Sequence, residues 1–255
     1  MSKLKPQEVE QRKREIIEAA RLCFLRSGFH QTTTDEICHE ASITPGGLYH
    51  YFGSKEEIIS AVIEDAAHTI VNNLRSTAEA SGDLRSAVRA LASLFFERIR
   101  DPQLDGVTRL DVEIWAETLR NEKLAEITRE SRALRREWLE TLICRAVDEG
   151  VYTKDVDARG LANLIMAIFD GLRLGRLLWR DDFDLDGALK ALVLMQTGRL
   201  MNGNHVALAP KAPAAGPPLG PAARCSPGAA AEPNDAAALC VFRGGEPLGV
   251  RRSPL

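Results

Sequence analysis

Hydrophobic residues recur at steps of three and four along most of the chain, which is the spacing of one apolar face of an α-helix. A helix over about 84–100, for example, carries Leu84, Val88, Leu91, Phe95 and Ile99 on one face. No stretch of useful length alternates with period two, so no strand is predicted. The pattern therefore predicts an all-α chain whose longer helices cover about 6–27, 55–80, 84–100, 103–119, 121–150, 157–179 and 185–201.

Start signals between Thr33 and Glu57 predict two short helices followed by a long one. Thr33 with Glu36 three residues later forms a capping box, so a helix begins at Thr34 and breaks at Ser42. Thr44-Pro45 restarts the helix, because the hydroxyl caps free amides and proline fits the first helical position. The segment 54–57 is predicted to be another capping box, which opens the long helix.

Two short helices joined by a three-residue turn have helix-turn-helix geometry. Leu48 and Phe52 form the inner face of the second helix, and small or hydroxyl residues occupy its first turn. A front without bulky aliphatic side chains can enter the major groove of DNA. Gly46 and Gly47 are poor helix formers, which suggests that close backbone approach matters there. Spacing alone leaves a second interpretation open, a small three-helix core that contacts nothing.

The first quarter of the chain resembles the DNA-binding domain of the TetR family of transcriptional regulators. The matching positions are Ile17, Ala20, Phe24, Gly28, Phe29, Thr33, Thr34, Ile37, Ala41, Ile43, Thr44, Gly46, Leu48, Tyr49, Tyr51, Phe52, Lys55 and Glu56. Cys38 replaces the usual small alanine, and Ser42 replaces the usual turn glycine. We therefore expect Ser42 to adopt a positive φ.

The resemblance implies an N-terminal helix-turn-helix domain plus a C-terminal helical ligand-binding and dimerisation domain. It also implies that the residues from Thr44 to Gly46 lie against base edges and that Lys55 contacts a phosphate. A symmetric dimer would place two recognition helices about 34 Å apart on a near-palindrome. The implied DNA-binding residues are Thr33, Thr34, Thr44, Pro45, Gly46, Gly47, Tyr49, His50, Tyr51 and Lys55.

The last two predicted helices are apolar over too much of their circumference for a single core face. Burial inside one large core and a dimer interface both explain this pattern. The resemblance favours the dimer, a four-helix bundle with two helices from each subunit. The implied interface residues are Leu161, Ile165, Ile168, Leu172, Gly175, Leu189, Leu192 and Val193.

Aromatic residues of the second half are candidates for the wall of a ligand pocket, although core packing is the more common role for any single one of them. Asp111, Glu113 and Glu117 are close to Trp115 in sequence, so a cationic ligand is one hypothesis. The long helix 55–80 is the expected mechanical link to the DNA-binding domain. The candidate wall residues are Phe95, Phe96, Trp115, Trp138, Phe169 and Trp179.

The composition indicates the class of protein and its expected cellular compartment. Charged residues make up 27% and hydrophobic ones 45%, which is typical of a soluble globular chain, and the net charge is −3. The five cysteines show neither CxxC nor zinc spacing, so no metal or other cofactor is expected. The start has no apolar secretory signal and no segment is long enough to span a membrane, so a cytoplasmic location is expected.

These observations divide the chain into a DNA-binding domain (1–55), a helical ligand-binding and dimerisation domain (56–202) and a disordered Pro/Ala/Gly-rich tail (203–255). The expected function is a DNA-binding repressor that a small molecule releases from a palindromic operator. No catalytic motif is recognisable, so an enzyme is not expected. Two alternatives stay open: a regulator switched by the Cys38 thiol, and a helical enzyme with a relic DNA-binding domain.

Overall fold

The structure is a computed structural model, and it describes residues 6–196. Within that range all regular secondary structure is helical, as predicted, and a short 3-10 turn at Arg180–Asp182 separates the last two helices. The predicted end of the last helix near residue 201 and the tail 203–255 lie outside the described residues. The helices are α1 (Pro6–Ser27), α2 (Thr34–Glu40), α3 (Pro45–Tyr51), α4 (Lys55–Glu79), α5 (Leu84–Arg100), α6 (Leu104–Thr118), α7 (Glu122–Asp148), α8 (Ala158–Trp179) and α9 (Leu185–Gln196).

Side-chain caps start the helices where the sequence predicts them. Thr33 and Glu36 form both hydrogen bonds of the capping box on α2. Asp83 caps α5 and Asn121 caps α7. The prediction for 54–57 is only half right. The Ser54 hydroxyl accepts from the backbone N–H of Glu57, but the Glu57 carboxylate accepts from Gly53 instead of Ser54.

The core of the N-terminal helices extends into the helical domain. Phe24 of α1 and Leu48 of α3 are almost completely buried, at 1% and 0% exposure. Leu110 and Ile114 of α6, together with Leu124 of α7, belong to the same apolar cluster. Burying this shared surface stabilises both parts together. The N-terminal helices are therefore packed against α6 through α1, and the chain also continues from them into α4.

Within the helical domain, Arg176 joins α8 to two neighbouring helices. Its guanidinium donates to the Asp105 carboxylate of α6 at 2.6 Å. It also donates to the carbonyl oxygens of Ile99 and Asp101 at the end of α5. A cation at a helix C-terminus satisfies carbonyls that have no partner within the helix. Arg176 thereby fixes the position of α8 relative to α5 and α6.

Candidate nucleic-acid interface and effector domain

The start of α3 is held by its own threonine and proline. The Thr44 hydroxyl accepts the backbone N–H of Gly47 at 3.2 Å, and Pro45 occupies the first turn. On the opposite face, Leu48 is fully buried and Phe52 is 8% exposed. A helix this short is not stable alone, so these two anchors determine its orientation.

The other face of α3 is open to solvent. Tyr49 is 55% exposed, and His50 is also exposed. A Cβ added at Gly46 would meet nothing within 4 Å, whereas one at Gly47 would lie 3.3 Å from the Thr44 hydroxyl. Gly46 is thus not required by packing within the chain. It keeps the first turn of the helix free of side-chain atoms.

The turn before α3 depends on Ser42, which adopts a φ of 52° as expected from the sequence. The backbone N–H of Ile43 then donates to the carbonyl of Cys38 at 2.9 Å, which closes the turn. Left-handed backbone is unfavourable for a residue with a Cβ, by about 1–2 kcal/mol. Burial of Ile37 and Leu48 on either side of the turn offsets that strain.

Lys55, an implied phosphate contact, binds its own chain in this structure. Its ammonium donates to the carbonyl of His30 at 3.3 Å and lies 4.6 Å from the centre of the Phe29 ring. Burial lowers the pKa of Lys55. Its contact with DNA remains a prediction. Thr33 and Thr34 lie at the start of α2, with the Thr33 hydroxyl engaged in the capping box.

The thiol alternative gains no support from the surroundings of Cys38. The side chain is 4% exposed and belongs to the apolar core. Burial raises the pKa of the Cys38 thiol, and Asp35 raises it further. Reactive cysteines instead occupy electropositive, partly exposed positions. Among the described residues, no group of three His, Cys, Asp or Glu side chains is placed to hold a metal ion, and none of the described helices is long and apolar enough to cross a membrane.

Glu113 of α6 joins the helical domain to the turn between α1 and α2, a contact that the sequence did not suggest. Its carboxylate accepts the backbone N–H of Phe29 at 2.7 Å. Gly28 has a φ of 81°, and a Cβ there would overlap the Glu113 carboxylate. One turn further along α6, Glu117 lies 3.8 Å from the imidazole of His30. The Glu113 hydrogen bond therefore joins this turn to α6, and the Glu117 carboxylate lies beside it.

Three of the predicted pocket residues come together between α5 and α8. The ring of Phe95 lies 5.6 Å from that of Phe96 and 5.4 Å from that of Phe169, both edge to face. Trp138 on α7 is half-buried. Trp179 was also a candidate for the pocket wall, but it is 58% exposed at the end of α8. Trp179 therefore does not line an interior pocket in one chain.

The hypothesis of a cationic ligand beside Trp115 is not supported. The face of Trp115 is occupied by the guanidinium of Arg173, whose central carbon lies 5.0 Å from the ring centre. Asp111 pairs with that same guanidinium at 2.5 Å. Glu113 and Glu117 are directed towards the α1–α2 turn instead. Asp170 and Arg173, three residues apart in a largely apolar stretch of α8, are the signal that could have revealed this ionic site.

Most of the implied interface residues contact their own chain. Leu189 is 2% exposed, and a Cβ at Gly175 would overlap the ring of Phe183. The inward-facing residues are Leu161 and Ile165, which pack on Ile143 of α7, and Leu172, which packs in the cluster of Ile99 and Leu189. Ile168 and Leu192 are half-buried, and Val193 is 43% exposed. The most exposed large apolar side chains of α8 and α9 are Leu164, Leu178, Trp179 and Met195, which are 54–62% exposed.

Two models of known protein families match the chain. Residues 16–62 match the model of bacterial regulatory proteins of the tetR family. Residues 76–194 match the C-terminal domain of BetI-type transcriptional repressors. The chain belongs to the TetR family of transcriptional regulators. It is a DNA-binding regulator of the ligand-responsive type, as the resemblance implied.

Individual relatives are similar over most of their length. The transcriptional regulator UidR of Escherichia coli K12 is 29% identical over 157 residues, which cover 62% of this chain and 77% of UidR. TtgR of Pseudomonas putida is 27% identical over 191 residues, 73% of this chain and 90% of TtgR. The structure of Salmonella enterica GusR is 28% identical, with a TM-score of 0.59 over 78% of this chain and 99% of GusR.

Proposed function

We propose that this TetR-family protein is a homodimeric repressor that binds a near-palindromic operator through α3 and leaves it when a small molecule binds the helical domain. The observation that carries this proposal is the two-sided character of α3. Leu48 and Phe52 anchor one face, while Tyr49, His50 and the side-chain-free turn at Gly46 are open to a duplex.

The exposed apolar surface of α8 and α9 supports the homodimer. Leu164, Gly171 and Leu178 follow one another at steps of seven, close to the repeat of one helix face. A Cβ at Gly171 would meet nothing within 4 Å, so a partner helix can approach closely there. We assign this surface, with Trp179 and Met195, to the dimer interface in place of the inward-facing Leu189 and Gly175. Isologous contact of the two copies would set the distance between the two α3 helices.

Helix α6 supports the proposed response to a ligand. Asp111 of α6 binds Arg173 in the helical domain, and Glu113, two residues later, binds the backbone of Phe29. A ligand that prefers one position of α6 therefore acts on the helix-turn-helix unit as well. The Glu113–Phe29 contact is thus a second link between the helical domain and the DNA-binding domain. The first link is the continuous helix α4, which the sequence predicts. A hundredfold change in DNA affinity corresponds to about 2.7 kcal/mol of coupling.

Binding of the purified full-length protein to fragments of its own genome tests the proposal. Enriched fragments should share a near-palindrome whose half-sites are about one helical turn apart, bound by one or more dimers. The Tyr49→Ala variant should lose the enrichment while a control, Leu119→Ala at an 86% exposed position outside α3, retains it. Enrichment of unrelated fragments, or equal enrichment by the Tyr49 variant, would contradict the assignment of α3.

A further inference from the structure

A group of charged side chains lies where α6, α7 and α8 meet in the helical domain, and it is named here the arginine cluster. Its members come from three helices: Asp111 of α6, Arg132 and Arg135 of α7, and Asp170 and Arg173 of α8. Arg173 is the most enclosed, with 4% of its side chain exposed. The cluster holds three positive charges against two negative ones, so it carries an excess positive charge.

The ion pairs of the cluster show where that excess lies. Arg173 donates to Asp111 at 2.5 Å and to Asp170 at 2.9 and 3.2 Å. Arg132 donates to the second oxygen of Asp170 at 3.0 Å. Arg135 donates through Nε to the carbonyl of Ser131, in its own helix, at 3.3 Å. Among residues 6–196 no carboxylate forms an ion pair with Arg135.

Arg135 nonetheless experiences the electrostatic field of the other charges in the cluster. Burial lowers its pKa, and the charges of Asp111 and Asp170 oppose that shift. Arg135 is half-buried, and its hydrogen bond to the Ser131 carbonyl supplies no counter-charge, so a hydrogen-bonded carboxylate does not offset its desolvation. Holding α6, α7 and α8 together requires only the pairs that Arg173 and Arg132 already make. Structural tethering therefore does not account for Arg135.

Two further polar atoms on α7 also have no role that contacts within the chain account for. The Thr128 hydroxyl and the Nε of Arg136 are buried and have no hydrogen-bond partner. Thr128, Arg132 and Arg135 follow at steps of four and three, so they lie along one side of the helix, and Arg136 is next to Arg135 in sequence. Buried polar atoms normally have partners. A bound molecule with acceptor oxygens would supply them.

Apolar rings adjoin the cluster on the side of α8. Arg173 lies against Trp115 and against Phe169, 5.0 and 5.9 Å from the ring centres. Phe169 in turn contacts Phe95, and Phe95 contacts Phe96. The charged guanidinium groups are thus next to a group of phenylalanine rings. A molecule with an acid group at one end and an apolar body matches both parts.

We propose that the arginine cluster binds an organic carboxylate whose oxygens accept hydrogen bonds from Arg135 and Arg173 and whose apolar body contacts Phe169 and Phe95. A second carboxylate competes with Asp111 for Arg173, which weakens the hold of α8 on α6. Glu113 on α6 then transmits the change to Phe29. This assignment of the effector as an anion rests on the proposed function, since it places the effector in the same domain.

Calorimetric titration of the full-length protein at pH 7 and fixed ionic strength tests the proposal with two matched pairs of probes. The carboxylates are octanoate and 1-naphthoate, and the neutral partners are octanamide and 1-naphthamide. At least one carboxylate should bind saturably and about tenfold or more tightly than its amide, because charge-assisted hydrogen bonds are the stronger ones. Arg135→Gln should remove most of that preference, and Arg135→Lys should restore part of it.

Arg129→Gln is the matched control, because Arg129 is on the same helix but pairs with Glu122 at the surface. It should leave the preference unchanged. Thermal unfolding followed by circular dichroism verifies that each variant is folded. If neither carboxylate binds, if each amide binds as well as its acid, or if folded Arg135→Gln keeps the full preference, the proposal is overturned.

Affinity of the same preparations for the selected DNA separates the two proposals. Intact DNA binding without any carboxylate preference would overturn the anion site alone. Absence of sequence-specific DNA binding in the wild type would overturn the proposed function, whatever the titrations show. If both hold, the carboxylate that binds should lower DNA affinity, and Arg135→Gln should make DNA binding insensitive to it.

Discussion

The Glu113 carboxylate accepts the backbone N–H of Phe29 at 2.7 Å, across 84 positions of sequence. The contact joins α6 to the turn that leads into the helix-turn-helix unit. Gly28, beside Phe29, has no side chain to displace the carboxylate. Gly28 and Glu113 therefore act as a pair, and their substitutions should not be additive.

Gly28→Ala should destabilise the protein for two reasons. The positive φ is unfavourable for alanine by about 1–2 kcal/mol. The new methyl group also displaces Glu113, which removes a hydrogen bond worth about 1 kcal/mol. Gly82→Ala is a matched control, since Gly82 has a φ of 78° but no atom within 4 Å of an added Cβ. Urea unfolding should show a larger loss for Gly28→Ala than for Gly82→Ala.

The excess loss should disappear when Glu113 is already absent. In a Glu113→Ala background, Gly28→Ala should be no more destabilising than Gly82→Ala, because only the backbone strain remains. A double-mutant cycle of the four proteins measures this coupling directly. Additive losses would show that the Glu113 carboxylate does not hold the turn.

The capping box of α2 should make stability depend on acid pH. The backbone N–H of Thr33 lowers the pKa of Glu36 below its usual value. A lowered pKa means that the folded state favours the ionised carboxylate, so its contribution is complete above pH 4.5. The contribution is lost as the pH falls through the lowered pKa. Wild type should thus be more stable than Glu36→Gln at pH 7, and urea midpoints should converge at low pH. An equal gap at both ends of the range would contradict this.

The dimer interface should depend on the outward side of α8. Leu164→Glu combined with Leu178→Glu places charges on the two positions that are 54% and 57% exposed in one chain. Burying them in a symmetric contact would leave unpaired carboxylates, so the dimer should dissociate. Light scattering after size exclusion should report one subunit. Leu119→Glu, at 86% exposure, should stay a dimer. A dimeric double variant would place the interface elsewhere.

Local signals predicted the helix starts, whereas contacts distant in sequence were not predictable. Thr33 with Glu36, and Thr44 with Pro45, act within four residues, so the printed sequence contains everything their geometry needs. Whether the Glu57 carboxylate accepts the backbone N–H of Ser54 or that of Gly53 depends on small differences in backbone position. Glu113 meets Gly28 only because α6 packs on α1. No periodicity identifies such a partner.

For the candidate sites, too, local patterns were predictable from the sequence and contacts between distant segments were not. The exposed side of α3 follows from the apolar spacing of Leu48 and Phe52, and the resemblance named its residues. For α8 the hydrophobic pattern was broad, so it could not separate inward Leu172 from outward Leu164. The two charged positions Asp170 and Arg173 interrupt that pattern. They mark the face of α8 that meets α6 and α7.

The most direct measurement of the central claim, that the open face of α3 reads DNA, combines stability and DNA affinity for Gly46→Ala. An added methyl group meets nothing within 4 Å, and alanine favours a helix by up to about 1 kcal/mol over glycine. The variant should therefore unfold at equal or higher urea concentration and yet bind the selected operator more weakly in fluorescence anisotropy. A folded, dimeric variant with wild-type or tighter operator affinity would contradict the account.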